Sequence, residues 1–159
     1  MKKILLFSLI AGCSLPLWAA DLQCEGSIKN RTIYSNIQVK KNCSLEKVTV
    51  TGNVLLENQA SLHLNQVTIK GNLESHDTFD HVSAKSSRFN GNIQLENGHR
   101  VDLINNLILG NLALENNKAQ IQVSQNTIQG NMTCSNNLQN PQGQQNEILG
   151  NKAEQCSSL

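Results

Sequence analysis

Aromatic residues are scarce in this chain, at 3% of 159 residues. That excludes a stacking platform for sugar rings or bases, which needs exposed Trp or Tyr. Beyond residue 20 one tyrosine remains, Tyr34, and no tryptophan. Charge of either sign is not in excess. Thirteen Lys and Arg stand against 12 Asp and Glu, a formal +1 that becomes −1 when Lys2 and Lys3 leave with the leader described below (1 − 2). Without a basic tract, nucleic acid is not an expected partner. There is no CxxC pair, no nucleophile elbow, no P-loop and no Gly-rich dinucleotide turn, so the sequence gives no catalytic residue, no metal site and no cofactor. The helical spacing of apolar residues at i, i+3 and i+4 is missing as well.

An export segment opens the chain. Lys2 and Lys3 form a basic n-region, Ile4 to Gly12 an apolar h-region, and Pro16-Leu17-Trp18-Ala19-Ala20 leads to a small-residue cleavage site before Asp21. This gives a signal peptide over 1–20 and a single mature domain over 21–159. The apolar stretch is too short, and broken by Pro16, to serve as a transmembrane segment. A second reading exists, because Ile10-Ala11-Gly12-Cys13 resembles a bacterial lipobox and would leave a lipidated Cys13 on the outer membrane. The very short h-region and the apolar residues after Cys13 favour simple cleavage.

The mature part is built on a repeat. Gly-Asn recurs at 52–53, 71–72, 91–92, 110–111, 130–131 and 150–151, spaced by 19 or 20 residues, with Ser35-Asn36 as an earlier degenerate copy. Apolar columns run in register with it. Val50, Ile69, Phe89, Ile108, Ile128 and Ile148 precede each Gly by two, and Val54, Leu73, Ile93, Leu112 and Met132 follow it by two. A third set precedes the next Gly by nine and seven: Cys43/Leu45, Leu62/Leu64, Val82/Ala84, Val101/Leu103 and Ile121/Val123. Alternation within each set is the period-2 signature of strands. Three short strands per 20 residues, repeated in register, predict an all-β chain. The expected fold is a small parallel β-helix, or β-solenoid, of about seven coils. The absence of an 18-residue hexapeptide coil favours the right-handed form.

Asparagine fills 22 positions after residue 20. It follows every repeat Gly, and Asn58, Asp77, Asn97, Asn116 and Asn136 stand six residues after it. These positions read as corners, where Asn and Gly accept a left-handed backbone and stacked amides bond from coil to coil. The one-residue variation in spacing falls between this second corner and the following strand.

Four cysteines remain in the mature part: Cys24, Cys43, Cys134 and Cys156. The repeat places Cys24 one coil before Cys43 and Cys134 near Cys156, whereas cross-pairing would span the rod. The expected disulfides are therefore Cys24–Cys43 and Cys134–Cys156, pinning the two end coils. This usage points to an oxidising compartment, periplasmic or extracellular.

Two sets of outward residues stand apart from the repeat. One is polar. His76 shares a column with Glu57, Glu96 and Glu115; Asp80 aligns with His99, and His81 with Arg100. A histidine flanked by carboxylates can bind a metal or relay protons, but a solvated, charge-complementary face explains the same residues and is the preferred reading. The other is apolar: alternation turns Leu107 and Leu109 outward, with Leu149 in the column of Leu109. A flat threonine array suited to ice is interrupted, since its column reads Thr49, Thr68, Arg88, Leu107, Thr127.

The repeat and its cysteine-bearing ending, Gly130-Asn131-Met132-Thr133-Cys134-Ser135-Asn136 through Gly150-Asn151 to Cys156, resemble small secreted bacterial proteins built of Gly-Asn repeats. That resemblance implies a secreted β-helix and transfers no activity. A weaker likeness is to curlin repeats, but their Gly-x-Gly-Asn and regular Ser/Gln ladders are missing. The expected function is a non-enzymatic surface or adhesion module using Leu107, Leu109 and Leu149 for a protein or glycan partner. The alternative is a carbohydrate-binding or carbohydrate-active β-helix using His76–His81 and His99.

Overall fold

The structure, a computed structural model, describes residues 20–75 and 77–159. The leader, with Cys13, and His76 lie outside the described residues. Among those described there are nineteen strands and no helix, and every strand pairing is parallel. The strands wind into a β-solenoid of seven coils with three faces.

Two long strands, Leu22–Lys29 and Ile37–Glu46, turn the first corner and so contribute to two faces. The first face continues through Val54–Leu56, Leu73–Ser75, Ile93–Glu96, Leu112–Glu115, Met132–Ser135 and Lys152–Glu154. The second continues through Ala60–Asn65, Phe79–Lys85, Arg100–Ile104 and Ile121–Ser124. The third stacks seven two-residue strands from Thr32–Ile33 to Glu147–Ile148. Register follows the repeat: Ile93 pairs with Leu112, Val101 with Val82, and Phe89 with Ile108.

The apolar columns form one thin core. Val54, Leu73 and Ile93 are fully buried, as are Leu62, Val82, Val101 and Ile121. No single coil could enclose these side chains; each is sealed by the coils above and below it.

The corners differ from expectation in an instructive way. None of the Gly-Asn glycines has a positive φ; Gly26 alone does among the described glycines. Glycine stands there because the coils approach too closely for a side chain. A Cβ on Gly110 would lie 2.5 Å from the Gly91 carbonyl oxygen and 2.6 Å from Asn92 Oδ1. The left-handed residues sit at the other two corners. Asn97, Asn116 and Asn136 occupy one as expected, joined by Gln59 rather than Asn58. Lys47, Gln66, Ser86, Asn105, Gln125 and Gln145 occupy the corner between the second and third faces.

Three hydrogen-bond ladders run along the rod. At the Gly-Asn corner, each Asn N–H donates to the side-chain Oδ1 of the Asn one coil earlier. This runs unbroken from Asn53 on Asn36 to Asn151 on Asn131, at 2.8–2.9 Å. Two further ladders are internal and run the other way. The N–H groups of Ser87, Asn106 and Asn126 donate to Oδ1 of Asn106, Asn126 and Asn146 in the next coil. Those of Gly98 and Asn117 donate to Oδ1 of Asn117 and Asn137. Asn106, Asn117, Asn126 and Asn137 are all buried, and no buried side-chain polar atom of the described residues lacks a partner.

Both ends are closed by their own residues. Cys24 and Cys43 stand at disulfide distance, with Cα atoms 5.5 Å apart. They are not in one column: Cys24 lies opposite Val39 and Gly26 opposite Cys43, so the pair reaches around the first corner. Cys134 and Cys156 pair at the far end, with Cα atoms 5.1 Å apart. There Gln155 caps an internal ladder. Its Oε1 accepts the Asn137 N–H at 2.8 Å and its Nε2 donates to the Asn137 carbonyl at 2.8 Å.

Phe79 gives one sharp packing test. Its buried ring lies where the next coil passes at Gly98, and a Cβ on Gly98 would come within 2.1 Å of Phe79 Cζ. Gly98→Ala is expected to destabilise the protein by about 1–3 kcal/mol through overpacking. Chemical denaturation measures this, and the double variant Gly98→Ala with Phe79→Leu should recover part of the loss.

Candidate functional site

The polar residues singled out from the sequence divide between two faces. Asp80, His81, His99 and Arg100 belong to the second face or its entry, whereas Glu96 lies on the first, beside Glu74, Ser75 and Gln94. The separation follows from strand geometry: Glu96 ends its strand and the chain turns the corner before Arg100.

On the second face, Asp102 organises one group. His81 Nε2 lies 2.8 Å from Asp102 Oδ2, and Arg100 donates through Nε to the same oxygen at 2.8 Å and through Nη2 to Oδ1 at 3.3 Å. His63 joins from the preceding coil, its ring edge-on to His81 with centroids 5.2 Å apart. Sequence reasoning missed His63 and Asp102. His63, Ser83 and Asp102 form one continuous column between the two apolar ones, and Asp102 reaches His81 diagonally from the next coil. A bulge precedes that column: Ala60 faces Phe79 but Ser61 faces His81. Asp80 is the extra residue of that bulge. It accepts the Ser61 hydroxyl at 3.3 Å and stands 3.9 Å from His99 Nδ1.

The chemistry of the Asp102 group is constrained. Both Asp102 oxygens are already engaged, Oδ2 by His81 and the Arg100 Nε and Oδ1 by the Arg100 Nη2, so the carboxylate ties two coils of the face together. Among the described residues, no three His, Cys, Asp or Glu are placed to hold a metal.

Burial, and then the neighbouring His81, push the His63 imidazole below the usual histidine value. The unfolded chain therefore takes up a proton on His63 before the folded one does. Stability should fall as pH drops below about 6.5, the ordinary histidine value, and continue to fall until the folded-state value is passed. Glu46 acts in a separate window. Its hydrogen bond and ion pair with Lys29, at 2.7 Å, hold its carboxyl below the usual range, so its contribution disappears only as pH falls through that lower value. Melting temperature against pH checks this, and His63→Gln should flatten the step nearer neutrality while leaving the acid step intact.

The leucines occupy the third face. Leu107 and Leu109 flank the buried Ile108, turn outward and are half-buried. Their column neighbours are polar: Arg88 and Thr127 stand beside Leu107. Leu149 is 64% exposed but is detached from Leu109 by the intervening coil, where Gln129 holds the equivalent position. A shallow groove of about 430 Å³ runs beside Leu107, between Arg88, Asn105, Gln125 and Thr127. Two further exposed apolar side chains, Tyr34 at 80% and Leu138 at 75%, were not singled out from the sequence. Tyr34 sits in the column of Leu109 in the first coil.

No helix of the described residues is long and apolar enough to cross a membrane. The chain matches no protein-family model, no curated protein and no solved structure.

Proposed function

We propose that the chain is an exported, non-catalytic contact module: a rigid rod whose third face, at Leu107 and Leu109, receives a protein partner. The observation that carries this reading is the adjacent pair of half-exposed leucines beside an open groove, on a face whose other outward residues are mainly Thr, Lys, Arg, Asn and Gln. An apolar break in a polar face is the ordinary mark of a contact surface. The two cysteine pairs support an oxidising compartment, and with it export. The Asn-rich corners belong to the scaffold, because their amides are taken up in the ladders.

The test compares proteins retained by the immobilised natural chain with those retained by Leu109→Glu, using the envelope and secreted fractions of the producing cell. Oligomeric state is measured for both. The expected result is loss of a specific retained protein, or of self-association, in Leu109→Glu only. An unchanged profile would remove this surface from consideration.

A further inference from the structure

The bulge at Asp80 opens a groove of about 390 Å³ along the corner between the first and second faces. Asn42, Ser61 and His99 line it from three different coils, Gln59, Thr78 and Asp80 complete its walls, and buried Phe79 forms its floor. The side-chain amides of Asn42 and Gln59 make no hydrogen bond to the described residues, unlike the Asn side chains of the ladders. Asp80 uses Oδ2 for Ser61, while its Oδ1 stands 3.9 Å from His99, beyond hydrogen-bond distance, and is open to a ligand.

The lining decides the ligand class. No Lys or Arg is present and one wall is a carboxylate, which disfavours phosphate, sulfate or an acidic sugar. One carboxylate with one imidazole is too few ligands for a cation. Phe79 is fully covered, so no ring face is offered to a base. What remains is two amides, a free carboxylate oxygen and an imidazole. Each amide both donates and accepts, and neighbouring sugar hydroxyls need that mixture.

We propose that this groove binds a neutral, hydroxyl-rich oligosaccharide lying along the solenoid axis. Equivalent positions recur at the inter-strand spacing of about 4.8 Å, so a row running over several coils favours an extended chain over a single compact sugar. Binding rests on hydrogen bonds rather than on stacking, in keeping with the scarcity of aromatics. The groove and the leucine face are separate surfaces, so either can fail without the other.

The test is an NMR titration of isotope-labelled protein, purified from the exported fraction, with cellohexaose, maltohexaose, chitohexaose and mannohexaose. A heparin hexasaccharide and calcium chloride serve as contrasting probes. At least one neutral hexasaccharide is expected to shift the amides of Asn42, Gln59, Ser61 and Asp80. Asp80→Ala and Asn42→Ala should each weaken that binding about tenfold, the effect of losing a hydrogen bond involving a charged or otherwise unpartnered group. Glu96→Gln on the first face should leave it unchanged. Asp80→Asn, which keeps the size and one acceptor oxygen, guards against loss of fold and should bind with intermediate strength. The proposal is overturned if no neutral hexasaccharide binds, if binding survives Asp80→Ala undiminished, or if the heparin probe binds more tightly.

Discussion

Replacing Asn126 with leucine is expected to cost about 2–4 kcal/mol, although the volumes are similar and leucine suits a buried site. Asn126 is 1% exposed and sits at the centre of an internal ladder. Its Oδ1 accepts the Asn106 N–H at 2.9 Å and the Asn106 Nδ2 at 3.0 Å. Its Nδ2 donates to the carbonyls of Leu103 at 2.8 Å and Ser124 at 3.0 Å. Leucine supplies none of these, so the Asn106 N–H is left buried without an acceptor and two carbonyls lose a donor. The contrasting variant is Asn111→Leu in the Gly-Asn ladder, where the amide is exposed and water replaces the lost partner. That change should cost less than about 1 kcal/mol. Urea denaturation of the two variants measures the difference, and equal costs would show that the internal corner is wet.

Removing the cysteine pairs has the other large effect. Each closes a loop of about 20 residues, with sequence separations of 19 and 22, and such a loop contributes about 3 kcal/mol by restricting the unfolded chain. The location of the loss is as informative as its size. Coils contact only their neighbours, so fraying begins at an end and spreads inward. With Cys24→Ser and Cys43→Ser, hydrogen exchange should accelerate in Leu22–Lys29 and Thr32–Ile33, while Val82, Val101 and Ile121 stay protected. With Cys134→Ser and Cys156→Ser, the acceleration should fall in Lys152–Glu154 and Glu147–Ile148. A uniform rise across all coils would mean that the rod unfolds as one unit. Mass spectrometry of peptides cut from the unreduced protein establishes the two pairings directly.

Much of the scaffold was legible because its strands obey period 2 and the repeat fixes their register. Val54, Leu73 and Ile93, or Leu62, Val82 and Val101, are core columns that a single sequence reveals once the Gly-Asn positions are aligned. The cysteine pairing followed from the same alignment, although Cys24 proved to face Cys43 around a corner rather than along a column.

The corners were less legible for physical reasons. Glycine at the Gly-Asn corner was assigned to backbone freedom, but its cause is the close approach of the neighbouring coil, which leaves no trace in one sequence. The left-handed corner between the second and third faces mixes Asn30, Ser86 and Asn105 with Lys47, Gln66, Gln125 and Gln145, so no single turn-forming residue type marks it as a column. The internal ladder begins as Val48 and Val67 and changes to Ser87, Asn106 and Asn126. A column whose chemistry switches from apolar to amide does not stand out as a column. The polar face was only partly found for a similar reason. His63 and Asp102 keep the repeat register, but the contact from Asp102 to His81 is diagonal between coils and does not show in a column-by-column alignment, and the corner after Glu96 sends that residue to another face.

The central claim is that residues equivalent in the repeat lie stacked along one straight rod. Spin labels attached through Thr32→Cys and Glu147→Cys test it most directly by pulsed electron–electron distance measurement. Thr32 and Glu147 are exposed and begin the first and last of the seven strands of the third face. Six steps of about 4.8 Å place the two backbone positions about 29 Å apart. A narrow distribution near that value, broadened only by the label linkers, is the expected result. A broad distribution, or one centred well beyond about 40 Å, would contradict a continuous parallel stack.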